Sequence, residues 1–375
     1  MQNLNRVQTS PDHLNRASHR ETFRGWNSSN VLGDIAHGSG RVLSQLVRLA
    51  GSMLPWLVIG ALALASVTLK LPPVKDQVQP KIFMPRDHFF GIAITPAGEM
   101  FVAGQNGQIL TSNDNGQRWT PLDAELRAAL QDIAAWDNDH ILAIGNDGAV
   151  VTGTRTNDQW ALRESTIGEK TKLLGLTVQG QGEAWAVGDM GAIFHSTDYG
   201  VSWNRASPVK DIIFNSVDFL DERIGIVVGE FGTIARTSDG GASWQDLPDL
   251  TELTLLDVAF SADGRAVIVG QNGTVLISDD AGVNWRELPA VTTEHLFDVE
   301  WDAGLDEWIA VGNMGVISRT VNGDWTSWTT SRIDDRNLSW HTGLALRDGA
   351  IYVSGRDTGI IQDGSFLPFQ KQSLQ

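Results

Sequence analysis

The sequence predicts an all-β fold, a seven-bladed β-propeller with four-stranded antiparallel blades, preceded by a single transmembrane helix and a disordered N-terminal tail. Three observations support this prediction: a glycine motif that recurs seven times, short β-rich runs inside each repeat, and one long apolar run near the N-terminus. Seven repeats of this size fill most of the 375 residues, which is typical of propellers.

The recurring motif is G-x-x-G-x-[IV], and its copies lie 41 to 43 residues apart. Within residues 255–287, the β-rich runs LLDVAF, AVIVG, GTVLISDD and NWREL are separated by turn signals, so one unit holds four strands and no helix. Four antiparallel strands per unit predict a propeller blade, and seven blades close a ring. The leading glycines are Gly104, Gly145, Gly188, Gly229, Gly270 and Gly312, with a looser seventh copy at Gly355.

A second motif, S-x-D-x-G-x-x-W, falls between the third and fourth strands of four units, with decayed copies at 153–160 and around 320–328. Its aspartate is suited to bind the amides of its own turn, its glycine tolerates a left-handed backbone, and its tryptophan covers the hairpin. We therefore predict a structural role, rather than catalysis or calcium binding, for the motif residues. They are Asp114, Trp119, Asp198, Trp203, Asp239, Trp244, Asp280 and Trp285.

This motif resembles the Asp-box, or BNR repeat, and the longer form VVGEFGTIARTSDGGASW (227–244) is similar to the repeats of the photosystem II assembly factor family and its bacterial relatives. The resemblance covers roughly residues 82–365 and implies a seven-bladed propeller with an assembly role. Two features depart from it. The cyanobacterial relatives are anchored by a lipidated cysteine, whereas this chain has no Cys. The family's contact patch is rich in arginine, whereas this body is acidic.

The run from Leu49 to Leu69 contains no charged residue. As a helix it spans roughly 30 Å, the thickness of a hydrocarbon core. A polar tail precedes it, so an uncleaved anchor is favoured over a signal peptide; the alternative is a buried helix kinked at Pro55. The predicted organisation is a polar, Arg-containing tail (1–48), a transmembrane helix (49–69), a Pro-containing spacer (70–87) and the propeller (88–375).

Charge is divided unevenly between these parts. The tail carries a formal charge of about +3 and residues 82–375 about −22, within a total of −17. We expect a single-pass protein of the bacterial inner membrane with a cytoplasmic N-terminus and a periplasmic propeller, although the basic residues next to the helix favour the opposite orientation weakly. The acidic body disfavours binding to nucleic acid.

The sequence gives no indication of an enzyme. It contains no Cys, so thiol catalysis and Cys-ligated metals are excluded. Sialidase chemistry needs a tyrosine nucleophile, but Tyr199 lies in an Asp-box turn and Tyr352 occupies a strand position. The eight histidines show no metal-ligand spacing, and we expect no cofactor and no metal.

Two sets of residues are candidates for partner binding. Met190, Phe231 and Met314 occupy turn positions where Asn, Asp or Gly is favoured, and we interpret them as a hydrophobic contact rim; the alternative is that each folds over its own blade. Arg236 matches an arginine of the resembled repeat and Arg319 repeats it. Both are candidates to bind a carboxylate or phosphate of a partner through two hydrogen bonds, and the alternative is that they pair with neighbouring acidic residues.

These observations favour a non-catalytic, membrane-anchored propeller that acts as an assembly factor or accessory subunit for an integral membrane protein complex. A transporter of the resistance-nodulation-division (RND) class is one example of such a client. The alternative is a surface propeller that binds carbohydrate or a small ligand in its central funnel. Candidate funnel aromatics are Phe89, Phe90, Phe214, Phe297 and Trp340. The sequence leaves open whether residues 81–84 or 366–369 close the ring.

Overall fold

A computed structural model describes residues 53–62, 64, 82–84, 86–321, 323–362 and 365–369. The chain divides into two compact units, residues 1–78 and 79–375. In the first, residues 53–62 and 64 are helical and exposed. Among the described residues, no helix combines the length and hydrophobicity needed to cross a membrane. The remainder of the predicted span 49–69, the tail 1–48 and most of the spacer 70–87 lie outside the described residues.

The second unit is a seven-bladed propeller, as the sequence predicts. Each blade is a four-stranded antiparallel sheet built from four consecutive strands. The strands of blades 1 to 3 are β1 (Phe89–Ile94), β2 (Met100–Gly104), β3 (Ile109–Ser112), β4 (Thr120–Leu122), β5 (Leu130–Ala135), β6 (His140–Gly145), β7 (Ala149–Thr156), β8 (Gln159–Thr166), β9 (Leu173–Gln179), β10 (Glu183–Gly188), β11 (Ala192–Ser196) and β12 (Asn204–Arg205).

Blades 4 to 7 repeat the same order, with the first strand of each blade innermost. Their strands are β13 (Phe214–Phe219), β14 (Gly225–Gly229), β15 (Ile234–Thr237), β16 (Gln245–Asp246), β17 (Leu255–Phe260), β18 (Ala266–Gly270), β19 (Val275–Ser278), β20 (Arg286–Glu287), β21 (Leu296–Asp302), β22 (Glu307–Gly312), β23 (Val316–Val321), β24 (Asp324–Arg332), β25 (His341–Arg347), β26 (Ala350–Gly355), β27 (Gly359–Gln362) and β28 (Ser365–Pro368).

The core is divided among the interfaces between blades. Second strands such as β14 and β18 are buried along their whole length, because a neighbouring blade covers each face of the sheet. One hydrophobic cluster fills each of the seven interfaces. The propeller therefore has no single central core, and its axis is left as a channel lined by the first strands.

A bulge near the start of the first strand recurs in all seven blades. In β17, for example, Leu255 pairs with Gly270 and Asp257 pairs with Val269, so two residues oppose one. Such a bulge turns the following side chains to the other face of the strand. As a result the first residue of the strand is buried between blades, whereas the third faces the channel.

The ring closes where blade 7 packs against blade 1, and both candidate segments take part. Phe83 and Phe369 are buried in one cluster with Trp119 of blade 1. The ring centroids of Trp119 lie 5.6 Å from Phe83 and 5.0 Å from Phe369. Residues 365–368 form the outer strand of blade 7, while 82–84 are not a strand.

Candidate functional site

The G-x-x-G turns form one end of the propeller together with the linkers between blades. We call this end the turn face; it contains residues 105–107, 146–148, 189–191, 230–232, 271–273 and 313–315, and the residues that precede each first strand. In every blade the amide after the leading glycine donates to the carbonyl of the residue before the first strand, as Glu230 does to Ile213 at 3.0 Å. A Cβ at Gly229 would collide with that carbonyl, which explains the glycine.

The middle residue of each turn adopts a left-handed backbone. Three of the turns carry residues that favour this conformation, and the other three carry Met190 (φ 59°), Phe231 (φ 56°) and Met314 (φ 54°). Phe231 is 67% exposed and Met190 49% exposed, whereas Met314 is half-buried. All three predicted rim residues therefore lie on the turn face, and Met190 and Phe231 do not fold into their own blades.

The two arginines lie at the opposite end of the blades. Both are near the end of a third strand, next to the Asp-box position. Arg236 donates from Nε to the carbonyl of Ala281 at 3.1 Å, and Arg319 pairs with Glu307 at 2.7 Å. The predicted contact residues thus form two separate surfaces, and both guanidinium groups already have partners within the propeller.

The Asp-boxes have the geometry expected of structural turns. In blade 4, Thr237 Oγ1 donates to Asp239 at 2.8 Å and accepts from the Gly241 amide at 2.9 Å, while the Ser243 amide donates to Asp239 at 2.9 Å. Hydrogen bonds from the Ser243 side chain and backbone, and from Thr237, lower the pKa of Asp239 to about 2. The same bonding pattern surrounds Asp114, Asp198 and Asp280.

The tryptophans of the motif differ in one respect. Trp119, Trp203 and Trp285 each donate from Nε1 to the glycine carbonyl of their own turn, at 3.0 to 3.1 Å. The Nε1 of Trp244 is buried without a partner, and its ring instead packs edge-on against Trp185 and Phe219. The tryptophans therefore stabilise the turns chiefly through apolar contact.

The decayed Asp-boxes are replaced by continuous hairpins. In blade 2, β7 and β8 are joined by Asn157 and Asp158, both with positive φ, as a tight two-residue turn requires. In blade 6, β23 and β24 are likewise long paired strands. Loss of the motif is thus accompanied by longer outer strands.

The structure reveals a feature that the sequence reasoning missed, a belt of carboxyl groups in the central channel. Each of four aspartates accepts a backbone N–H from the first strand of the next blade, at 2.7 to 2.9 Å. These pairs are Asp132 with Leu176, Asp218 with Phe260, Asp257 with Val299, and Asp298 with Leu344. These bonds join blade 2 to blade 3, and they join blades 4, 5, 6 and 7 in succession.

Burial and repulsion between neighbouring carboxylates raise the pKa values of the belt residues. Burial, opposed by backbone hydrogen bonds, raises the pKa of Asp132 and of Asp218 to about 7. Burial raises the pKa of Asp257 to about 6, and burial together with the charge of Asp257 raises the pKa of Asp298 well above its usual range. The Glu300 side chain is exposed to the channel, and the first strands of the propeller surround it. Burial within the ring, together with the charges of the neighbouring aspartates, raises the pKa of Glu300 to about 8.

The oxygens of the belt are largely occupied by structural bonds. Asp257 accepts from Ser216 Oγ at 2.6 Å as well as from Val299, and Asp132 accepts from Ile133 as well as from Leu176. The sequence held a signal for these residues: an acid in the third position of an apolar first strand, as in LLDVAF and LFDVEW, or in the fifth, as in FNSVDF. Compared with one another, these strands reveal the belt; considered singly, they do not.

The channel is a cavity of about 590 Å³, and part of the predicted aromatic set lines it. Phe90 and Phe297 line the channel, and Trp340 stacks on Phe90 with ring centroids 5.9 Å apart. Phe89 and Phe214, in contrast, are buried between blades, because they precede the bulge. Only the residues after that first position are available to a ligand in the channel.

Neither tyrosine is placed as a central nucleophile. Tyr199 lies in an Asp-box turn with φ 59° and packs against His140, and Tyr352 is 4% exposed within β26. Burial raises the pKa of Tyr352. Within the described ranges, no three His, Asp or Glu side chains are grouped as metal ligands would be.

Comparison with known proteins finds one matching family model and solved structures of the same fold. Residues 117–212 and 207–289 match the family described as photosynthesis system II assembly factor YCF48. A solved structure described as YCF48 bound to D1 peptide has a TM-score of 0.60 and 17% identity, covering 72% of this chain and 90% of that chain. The structure of YCF48 from Cyanidioschyzon merolae has a TM-score of 0.59 and 16% identity, and the match covers 76% of this chain and 95% of that chain. No curated protein shows significant similarity to the sequence.

Proposed function

We propose that this chain, whose seven-bladed propeller is of the YCF48-like family, is a non-catalytic assembly factor or accessory subunit that binds an integral membrane protein through its turn face. The observation that carries the proposal is the placement of Met190 and Phe231. Both are exposed, and both occupy left-handed positions that disfavour them energetically. Strained, exposed apolar residues of this kind are typical of binding surfaces.

A solved relative supports the choice of partner class. That YCF48 structure is described as bound to a D1 peptide, so a propeller of this fold binds a peptide segment. We propose the same mode of recognition here, in which a segment of the client protein lies across the turn face. Binding of this kind needs no catalytic group, and the four channel aspartates are accounted for by the links between blades.

The finer proposal concerns the location of the protein. We propose that residues 49–69 anchor it in a bacterial inner membrane and that the propeller stands in the periplasm. The uncharged run and the basic tail support this arrangement. An anchor would raise the local concentration of the propeller near membrane clients. An RND-class transporter remains one candidate client, on analogy alone.

The test is co-purification of full-length protein from gently solubilised membranes. The Met190→Ser, Phe231→Ser, Met314→Ser variant is compared with wild type and with a control carrying Val201→Ser and Val283→Ser in the Asp-box turns, where both valines are also exposed. We expect one integral membrane protein to accompany wild type and the control but not the triple variant. Its retention by the triple variant would contradict the proposal, as would purification of wild type alone.

The second candidate function is ligand binding in the channel, favoured by the cavity, by Phe90 that lines it and by Trp340 that stacks on Phe90. Carbohydrates stack on aromatic rings of this kind and hydrogen-bond to nearby carboxyls. A glycan array probed with the full-length protein separates the two functions. Specific signals that are lost in Trp340→Ala would favour the ligand-binding function, and a blank array would leave the partner-binding proposal in place.

A further inference from the structure

On the turn face, the adjacent blades 3 and 4 each expose two large apolar side chains, while Leu338 is exposed in the linker after blade 6. Besides Met190 and Phe231, the linkers that follow these two blades expose Val209 (65%) and Leu250 (42%). Val209 lies in the linker 206–213 and Leu250 in the linker 247–254. We call these four residues the blade 3–4 patch.

Hydrogen bonds between the turns and linkers make the patch continuous. The Met190 carbonyl accepts from the Lys210 amide at 3.1 Å, and the Gly191 amide donates to Ile212 at 2.7 Å. The next turn is held to the same linker, since Ile213 donates its amide to Glu230 Oε2 at 3.1 Å. Gly232 in turn lies so close to the Thr251 carbonyl that a Cβ there would collide with it. Turn, linker, turn and linker therefore follow one another across the face.

The two linkers of the patch are acidic, and Arg205, which donates to the Met190 carbonyl, is paired with Glu169 at 2.9 Å. The two linkers contribute three exposed carboxylates, from Asp211, Asp249 and Glu252. Their one basic residue, Lys210, is already paired with Asp246 at 2.9 Å. An acidic rim around an apolar centre complements a segment that carries both apolar and basic side chains.

We propose that the blade 3–4 patch binds a peptide segment in which apolar residues are interspersed with lysine or arginine, supplied by the membrane-protein client. This inference rests on the proposed function and specifies the chemistry of the client segment. Apolar side chains fill the space between Met190, Val209, Phe231 and Leu250, and the basic groups meet the carboxylates of the linkers. An acidic apolar segment is repelled at the same place.

The binding test uses full-length protein in mild detergent and a labelled synthetic peptide in which leucine alternates with arginine. Matched peptides replace arginine with glutamate, or leucine with serine. Fluorescence anisotropy is measured at several salt concentrations. We expect the leucine–arginine peptide to bind at least about tenfold more tightly than either matched peptide, with an affinity that falls as salt rises.

Three double variants locate the site. Met190→Asn with Phe231→Asn keeps residues suited to the left-handed backbone, so the fold is retained while affinity falls about tenfold. Asp249→Asn with Glu252→Gln weakens binding about threefold and flattens its salt dependence. The control, Val201→Asn with Val283→Asn on the other face, leaves affinity unchanged.

The outcomes separate this inference from the proposed function. Equal binding of the acidic and basic peptides, or unchanged affinity in the Asn variant, would overturn the inference even if a client co-purifies. A dimer of wild type that the Asn variant converts to a monomer would also overturn it, since the patch would then join two copies of this chain. If the peptide binds as expected but no client co-purifies, the proposed function fails and the chemistry of the patch stands.

Discussion

At the scale of single residues, the backbone conformation identifies which side chains are unusual. Six turns place a non-glycine residue at φ near 55° to 60°, and three of these residues are Asn106, Asp147 and Asn272. Asparagine and aspartate tolerate this region because their short polar side chains bond locally, whereas a side chain such as phenylalanine does not. Phe231 therefore destabilises the folded protein, and because two-thirds of its surface contacts solvent, burial of the ring does not offset this cost.

Exchanging residues between equivalent turns tests this cost. Phe231→Asn should raise the free energy of unfolding by about 1 kcal/mol, because it relieves the left-handed strain and exposes little buried surface. The reciprocal change, Asn272→Phe in blade 5, should lower it by a similar amount. Urea denaturation of both variants measures the difference. A loss of stability in Phe231→Asn would show that the ring packs against the fold.

At the scale of elements, the first strands determine how the blades meet. Their first residue is buried between blades and is Phe or Leu in six of them, but it is His341 in β25. Neither ring nitrogen of His341 makes a hydrogen bond of good geometry. Burial lowers the pKa of His341 to about 4, and the nearby charge of Asp357 opposes this shift only in part.

Replacing this histidine with the residue of the other blades should stabilise the propeller. His341→Leu removes a buried polar group, which is worth about 1–3 kcal/mol. Because the folded pKa lies below the unfolded value of 6.5, wild type loses stability as pH falls from about 6.5 towards 4, and the variant does not. Denaturation at pH 5 and pH 8 should therefore show a larger gain at pH 5. A gain that is the same at both values would contradict the burial of a neutral imidazole.

At the scale of the whole molecule, the ring brings carboxyl groups from different blades into one channel. Asp132, Asp218, Asp257, Asp298 and Glu300 come from four blades and lie far apart in sequence. Four of them are fixed by the amides of the neighbouring blade, so the belt joins blades while its charges repel one another. Stability of the ring is consequently linked to proton binding.

The belt predicts that the propeller weakens with rising pH. A carboxyl with a raised folded pKa binds a proton more tightly in the native state, so stability falls between its unfolded value, 4.5 for Glu300, and about 8. Glu300→Gln should remove part of this fall, raising stability at pH 8 by about 1 kcal/mol because solvent in the channel screens the charge, and leaving it unchanged at pH 4. Thermal unfolding across this range provides the measurement. Equal pH profiles for wild type and variant would contradict the role of Glu300.

The sequence by itself determined the number of blades, their four strands and the structural Asp-boxes, because each depends on contacts within about 40 residues. Period, turn chemistry and alternation are local, so Gly229, Asp239 and Trp203 could be interpreted without a structure. The placement of Phe231 and Met190 in turns was also predictable, but their exposure was not, since Met314 in the equivalent position is half-buried.

Only the tertiary structure decided what the blades bring together. The belt depends on a bulge within one blade, which turns Asp257 towards the axis, and on closure of the ring, which a single repeat does not encode. The same holds for Phe83 and Phe369 meeting at the closure, and for the patch formed by two turns and two linkers. In each case the deciding contact joins residues from different blades, and its energy appears only when the ring is assembled.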